Sequence, residues 1–334
     1  MKLTLDQIRE IARGALRVER EEDGAIRFYR FTEAQSAAYF ATGNMNFYDK
    51  TFASAGVRLA FVSNTKTLSF RFKPYSGSSR KWFSFDLREN DRIVSHKEYN
   101  REDDPATFHF EATLGAGEKQ IELYFPFSAR TDLYDLSIDD GATLKPLRRT
   151  HTMIEFGDSI THGYDGHFPS LSYANRLAAL LDADSINKGI GGDTFFPELL
   201  ESGGDLYDAP DYITVAYGTN DWAVYPREKT EVACRAFYKT LSARYPKAKI
   251  FAITPLWRGD FGDRASGAFG APLRQMDKLI GDAVRDLPNV TLILGENLVP
   301  HESAFFSEDF LHPSDLGFCQ YAANLYEEIQ KHLK

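Results

Sequence analysis

The hydrophobic pattern of this chain changes period once, near residue 150, and that change limits the fold more than any other feature. Ahead of it, Thr67-Leu68-Ser69-Phe70-Arg71-Phe72 alternates polar and apolar residues. So do 82–87, Thr107-Phe108-His109-Phe110-Glu111 and Gln120-Ile121-Glu122-Leu123. Period two puts one face of a segment in a core and the other in water, which marks half-buried antiparallel strands. Turn signals separate them at Ser76-Gly77-Ser78-Ser79, Glu89-Asn90-Asp91 and Leu114-Gly115-Ala116-Gly117-Glu118. With a short helix over about 5–15 in front, these strands predict a jelly-roll-like β-sandwich over 1–147.

Beyond residue 150 strands alternate with helices. Strands are expected at 153–156, 185–187, 212–217, 250–253 and 290–294, and helices at about 173–181, 228–245, 273–287 and 313–332. That rhythm gives βαβ units and a parallel sheet covered on both faces. The expected fold class is α/β: an α/β/α domain over 148–334 behind the sandwich. Lys145-Pro146-Leu147-Arg148-Arg149-Thr150 reads as the boundary.

Composition narrows the partners. With 43% hydrophobic residues over 334 positions, the chain can bury a large core, which excludes disorder as its main state. No run of 18 apolar residues predicts a membrane helix, so no membrane partner is expected. The first residues lack the apolar stretch of a signal peptide, which predicts a cytoplasmic location. Cys234 and Cys319 are the only cysteines, too few for a disulfide framework or a structural zinc site. Residues 1–150 hold 23 Lys and Arg against 22 Asp and Glu, and residues 151–334 hold 16 against 26. An acidic second half and no basic stripe in the first argue against nucleic acid. The pattern is compatible with a homo-oligomer.

Ligands of an open parallel sheet bind outside the carboxyl ends of its strands. Four polar blocks fall there: Gly157-Asp158-Ser159-Ile160-Thr161, Asn187-Lys188-Gly189-Ile190-Gly191-Gly192-Asp193, Gly218-Thr219-Asn220-Asp221, and Asp309-Phe310-Leu311-His312-Pro313 before the last helix. A serine hydroxyl needs a base to become a nucleophile. His312 suits that task, and Asp309 three residues upstream can bond its other ring nitrogen, fixing the tautomer. Ser159 alone would read as a helix cap; the other blocks make it a nucleophile candidate. Asp158 and Asp221 read as loop ties through backbone N–H groups. His162 and His167 are five apart with no third ligand in view, so no metal and no cofactor is expected. His151, His301 and His332 read as ordinary surface or packing residues.

Taken in order, Gly157-Asp158-Ser159, Gly192, Gly218-Thr219-Asn220-Asp221 and Asp309-x-x-His312 resemble the blocks of the SGNH, or GDSL-type, hydrolases. The resemblance covers about 150–334 and implies a flavodoxin-like hydrolase domain with Ser159, His312 and Asp309 as catalytic triad. It also implies oxyanion donors at the Ser159 and Gly192 backbone and the Asn220 amide. Gly189 and Gly191 are neighbours, and only the family's block selects Gly192. Residues 157–161 do not fit the G-x-S-x-G turn of the α/β-hydrolases.

The nucleophile block Gly157-Asp158-Ser159-Ile160-Thr161-His162-Gly163-Tyr164 and the sandwich ahead of it also resemble two-domain carbohydrate esterases that remove acetyl groups. Thr131-Asp132-Leu133-Tyr134 matches part of a Gly-x-Asp-Leu-Tyr stretch of related enzymes, with Arg130 in place of the glycine. The expected substrate is therefore a small-molecule or oligosaccharide ester, with Trp222, Trp257, Tyr164 and Arg258 as candidate substrate contacts. The Gly-rich 258–270 segment, with Asp260 and Arg264, reads as a loop over the site. In a cytoplasmic enzyme such substrates would be small imported acetylated oligosaccharides. Two alternatives stay open: a lysophospholipase or thioesterase, and a sugar-binding protein with a vestigial hydrolase domain.

Overall fold

The computed structural model describes residues 1–103, 107–201, 209–260 and 267–333. The N-terminal strands are β1 (Ala12–Arg13), β2 (Arg17–Arg20), β3 (Ile26–Tyr29), β4 (Arg58–Ser63), β5 (Thr67–Ser76), β6 (Trp82–Glu89), β7 (Arg92–Asn100), β8 (Phe108–Thr113), β9 (Lys119–Tyr124), β10 (Ala129–Ile138) and β11 (Lys145–Pro146). They form two antiparallel sheets. One runs β1-β4-β9-β6-β7 with β11 also on β4, and the other runs β2-β3-β10-β5-β8. Alternate residues of both sheets meet between them. Phe70 and Phe72 of β5 pack on Phe85 of β6 at 5.4 and 5.0 Å between ring centres, and stack on Phe110 and Phe108 of β8. This is the expected sandwich, its core made by the period-two apolar positions.

Three local features differ from the sequence reading. The leading helix α1 (Leu5–Ile11) stops earlier, because Ala12 and Arg13 pair with Leu59 and Arg58 of β4. Two unpredicted helices, α2 (Glu33–Ala41) and α3 (Met45–Lys50), stand between β3 and β4. A capping box starts α2: Thr32 accepts from the Gln35 backbone, and Gln35 answers on the Thr32 N–H.

The second part holds β12 (His151–Gly157), β13 (Ala183–Asn187), β14 (Tyr212–Ala216), β15 (Lys249–Ile253) and β16 (Val290–Ile293) in one parallel sheet, ordered β13-β12-β14-β15-β16. Its helices are α4 (Ser159–His162), α5 (Tyr173–Leu180), α6 (Glu198–Glu201), α7 (Thr219–Val224), α8 (Arg227–Arg244), α9 (Gln275–Val284) and α10 (Asp315–Gln330). One face of the sheet packs apolar residues with α8 and α9, the other with α5 and α10. The result is an α/β/α layer structure of flavodoxin-like strand order. That order reverses between β12 and β14, which opens a crevice at their carboxyl ends.

Buried charges cross the seam between sandwich and α/β layers. Arg58 of β4 bonds Asp184 at 2.7 Å and Glu122 at 3.2 Å. Arg30 donates to the carbonyls of Ala53, Lys50 and Asn187 at 2.6, 2.9 and 2.5 Å. Lys188 reaches back to the Arg30 carbonyl and Gln35. No described helix is long and apolar enough to cross a membrane.

Candidate active site

Gly157 ends β12 where a Cβ would meet the Thr161 hydroxyl at 2.0 Å, so only glycine lets the chain fold back into α4. Asp158 caps that helix, accepting from the Ile160 N–H at 2.9 Å, and burial pushes its carboxyl up to about 6. Ser159 is therefore the first helical residue, and its hydroxyl faces the loop before α10. His312 stands there with Nε2 2.8 Å from the Ser159 Oγ and Nδ1 2.5 Å from Asp309. A carboxylate can only accept, so Nδ1 carries the proton and Nε2 accepts from the serine hydroxyl. Asp309 is fixed in turn by the backbone N–H groups of Leu311 and His312, both at 2.9 Å, and by Ser307 at 2.8 Å. The three residues predicted from spacing thus meet in one hydrogen-bonded chain.

The loop after β13 explains which glycine is free to act. Gly189 donates to Asn187, Ile190 to the Gly157 carbonyl, Gly191 to His162 Nδ1 and Asp193 to the Ile190 carbonyl. The Gly192 N–H has no acceptor among the described residues, and its φ of +88° suits a residue without Cβ. Asn220, at the start of α7, spends one amide hydrogen on the Asp193 carbonyl at 2.9 Å and keeps the other. The Ser159 N–H is likewise uncommitted among the described residues. Three donors of the predicted kind are present, and Gly192 is singled out by hydrogen bonding rather than by family likeness.

Two further carboxyls are buried: Asp221, a predicted loop tie, and Asp193. Asp221 accepts from the Phe195 N–H at 3.1 Å, and Asp193 from the Tyr39 and Tyr217 hydroxyls at 2.7 and 3.1 Å. Burial pushes each up to about 7. His162 is fully enclosed. It takes the Gly191 N–H on Nδ1, so its Nε2 donates to the Phe127 carbonyl at 3.0 Å. Burial, reinforced by Arg30 and Lys50, keeps it neutral. It is a strut between the sandwich and the loop that carries Gly192.

The candidate substrate contacts separate into two places. Trp222, Trp257 and Arg258 line a cavity of about 280 Å³ with Arg274, Asp277 and Glu296. A narrower cleft continues from it past Thr219, Asp158 and Leu311. Arg258 is braced by Asp260 at 2.7 and 3.0 Å and by Thr219 at 2.9 Å. Trp257 stacks on His301. Trp222 is itself buried, its Nε1 donating to the Ala271 carbonyl at 2.7 Å, and so is Arg258. Tyr164 is buried apart from them, its ring packed on His312 at 5.5 Å and against Gly191. It directly follows Gly163, whose left-handed conformation ends α4. Gly262 and Arg264 of the expected loop lie outside the described residues.

Sequence reasoning missed Asp165 and the groups supplied from the sandwich side of the seam. Lys50 of α3 donates to the Gly191 carbonyl at 2.7 Å, and Phe47 stands against Gly192. Asp165 lies 3.2 Å from His312 Nδ1, and Arg80, before β6, grips Asp165. No motif spacing signals these residues.

Residues 156–318 match the GDSL-like lipase/acylhydrolase family. A curated relative, the uncharacterized lipoprotein YqeF of Bacillus subtilis (strain 168), is 28% identical over 111 residues, 31% of this chain and 46% of that protein. The chain thus spans about half the length of that relative. Among solved structures, the salicylyl-acyltransferase SsfX3 from a tetracycline biosynthetic pathway superposes with a TM-score of 0.78 at 20% identity, over 96% of this chain and 94% of that one. A Bacteroides ovatus protein described as GDSL-like lipase gives 0.76 at 19%, over 100% and 98%. A family two carbohydrate esterase from Clostridium thermocellum gives 0.65 at 20%, over 84% and 94%. The fold of both parts is shared with these proteins, and the 156–318 segment is of the GDSL-like hydrolase family.

Proposed function

We propose that this GDSL-family chain is a serine esterase that removes O-acetyl groups from carbohydrates through an acyl-enzyme. The observation that carries the reading is the chain Ser159 Oγ, His312, Asp309 at 2.8 and 2.5 Å. In the first half-reaction the Ser159 oxygen bonds the acetyl carbonyl carbon while its proton passes to His312 Nε2. The N–H groups of Ser159 and Gly192 and the free Asn220 amide hydrogen hold the oxyanion. The C–O bond to the sugar then breaks, and Nε2–H gives its proton to the departing alcohol oxygen. In the second half, water gives a proton to Nε2 and attacks the acetyl-serine carbon. Acetate leaves, and the serine hydroxyl recovers its proton.

Support for a carbohydrate comes from the Trp222–Trp257 cavity, whose size and mixed aromatic and charged lining suit a pyranose ring. Family two carbohydrate esterases sharing both parts of the fold agree with it. Acetylated xylo- or manno-oligosaccharides are expected to release acetate on incubation with the protein. Turnover confined to long-chain p-nitrophenyl esters would replace this reading with a lysophospholipase or thioesterase. Asn220→Ala is expected to lower kcat by about 10²–10³ with little change in KM. An unchanged kcat for that variant would remove the amide from the oxyanion site. A cytoplasmic location would confine the substrates to small imported sugars, whereas the Bacillus subtilis relative is named a lipoprotein. Fractionation of the producing cell decides between the two settings.

A further inference from the structure

His312 Nδ1 faces two carboxylates, not one. Asp309 stands at 2.5 Å and Asp165 at 3.2 Å, and Ser307 bridges them with contacts of 2.8 and 3.4 Å. A single N–H cannot bond both well, so Asp309 takes the hydrogen bond and Asp165 acts mainly through its charge. Its backbone sits at φ +65°, a left-handed conformation that Asp adopts more readily than most residues. Its side chain is held by Arg80, which reaches across the seam and grips both oxygens of Asp165 at 2.5 and 2.8 Å. The same guanidinium lies 3.8 Å from Asp309 and over the Tyr164 ring, which also packs on His312.

We propose that Asp165 is a second positioning carboxylate for His312, and that Arg80 of the sandwich sets how tightly the pair holds the imidazole proton. This rests on the reading of His312 as the base. Two negative charges beside one imidazole favour its charged form, and a base that holds its proton too tightly is idle at neutral pH. Arg80 neutralises one of the two. The other charged groups nearby are Asp158 behind the serine, with Arg258 beyond it, and Glu308, Asp315 and His167 in the cleft that Arg80 also lines. Burial works against the charged imidazole, but the two carboxylates beside Nδ1, Asp165 and Asp309, overcome it and raise His312 to about 9. Burial also opposes the charged Asp165, but the Arg80 bond and His312 hold it at about 2.

The sign follows directly. His312 is a base only when neutral, so kcat/KM for an uncharged acetyl ester should rise through an acid limb above the ordinary imidazole range. Asp165→Asn removes a charge that favours protonation, so the limb should move to lower pH by about one unit. Arg80→Met unmasks that charge, so the limb should move to higher pH, and Arg80→Lys should restore it in part. Asp309→Asn should keep at least about tenfold more activity than Asp309→Asn with Asp165→Asn, because Asp165 can take over the vacated bond. NMR titration of the His312 ring in Ser159→Ala reads the same proton affinity without turnover, so a failure of the esterase reading leaves this test standing. A limb and titration unmoved by Asp165→Asn, or equal activity of the single and double variants, would overturn the proposal. If Asp165→Asn does not fold, the Arg80→Met titration decides alone: an upward shift supports the proposal, and no shift overturns it.

Discussion

Ser159→Ala is expected to lower kcat by about 10⁶, leaving only the rate that binding and oxyanion donors supply. The reason is the division of labour at the end of β12. Asp158, not Ser159, caps α4, so losing the hydroxyl removes one hydrogen bond to His312 and no structural support. The melting temperature should therefore stay with wild type while turnover vanishes. His312→Ala should cost a comparable factor, and the double variant little more than either single one, because nucleophile and base act as a unit. A Ser159→Ala protein with a tenth of wild-type kcat would place the nucleophile elsewhere.

A large stability effect is expected at Arg30, a buried charge rather than an apolar core residue. This guanidinium is fully enclosed, and burial lowers its pKa to about 9. It is held there by carbonyls on both sides of the seam: Ala53 and Lys50 on one, Asn187 on the other, with Gly189 at 3.4 Å. Arg30→Met strips the donor from these carbonyls. Each buried group left unpaired costs about 1–3 kcal/mol, and relief from burying a charge offsets part of the sum. A net loss of about 3 kcal/mol is expected, read as a melting temperature lower by about 6 °C or more. The substitution should also reduce kcat, because Asn187 and Gly189 begin the loop that presents Gly192. A melting curve superimposable on wild type would show that the seam does not depend on Arg30.

The two layouts were legible in the sequence because each is written as a period. Alternation of two gave the sandwich strands, and strand–helix alternation gave the parallel sheet. The Ser159, Asn220 and Asp309–His312 blocks were legible because chemistry demands those residue types at strand ends. The helices α2 and α3 were harder: 33–50 is aromatic without a clear helical stripe. Only Thr32 followed by Gln35, a capping-box spacing, could have signalled the first of them. Asp165 and Arg80 are separated by 85 positions and meet only through the seam, so no local spacing could join them. The acidic balance of 151–334 does not describe the site, because Lys50 and Arg80 bring positive charge to it from the other half. Tyr164, in the right block for a substrate contact, is buried against His312, a packing that the side-chain pattern does not show.

The account stands or falls on Ser159 as the residue that carries the acyl group. Treating the protein with a fluorophosphonate and mapping the adduct by peptide mass spectrometry tests this most directly. The expected result is one modified peptide, with the added mass on Ser159. Labelling should be lost in Ser159→Ala and strongly slowed in His312→Ala. An adduct on another serine, or undiminished labelling of Ser159→Ala, would contradict it.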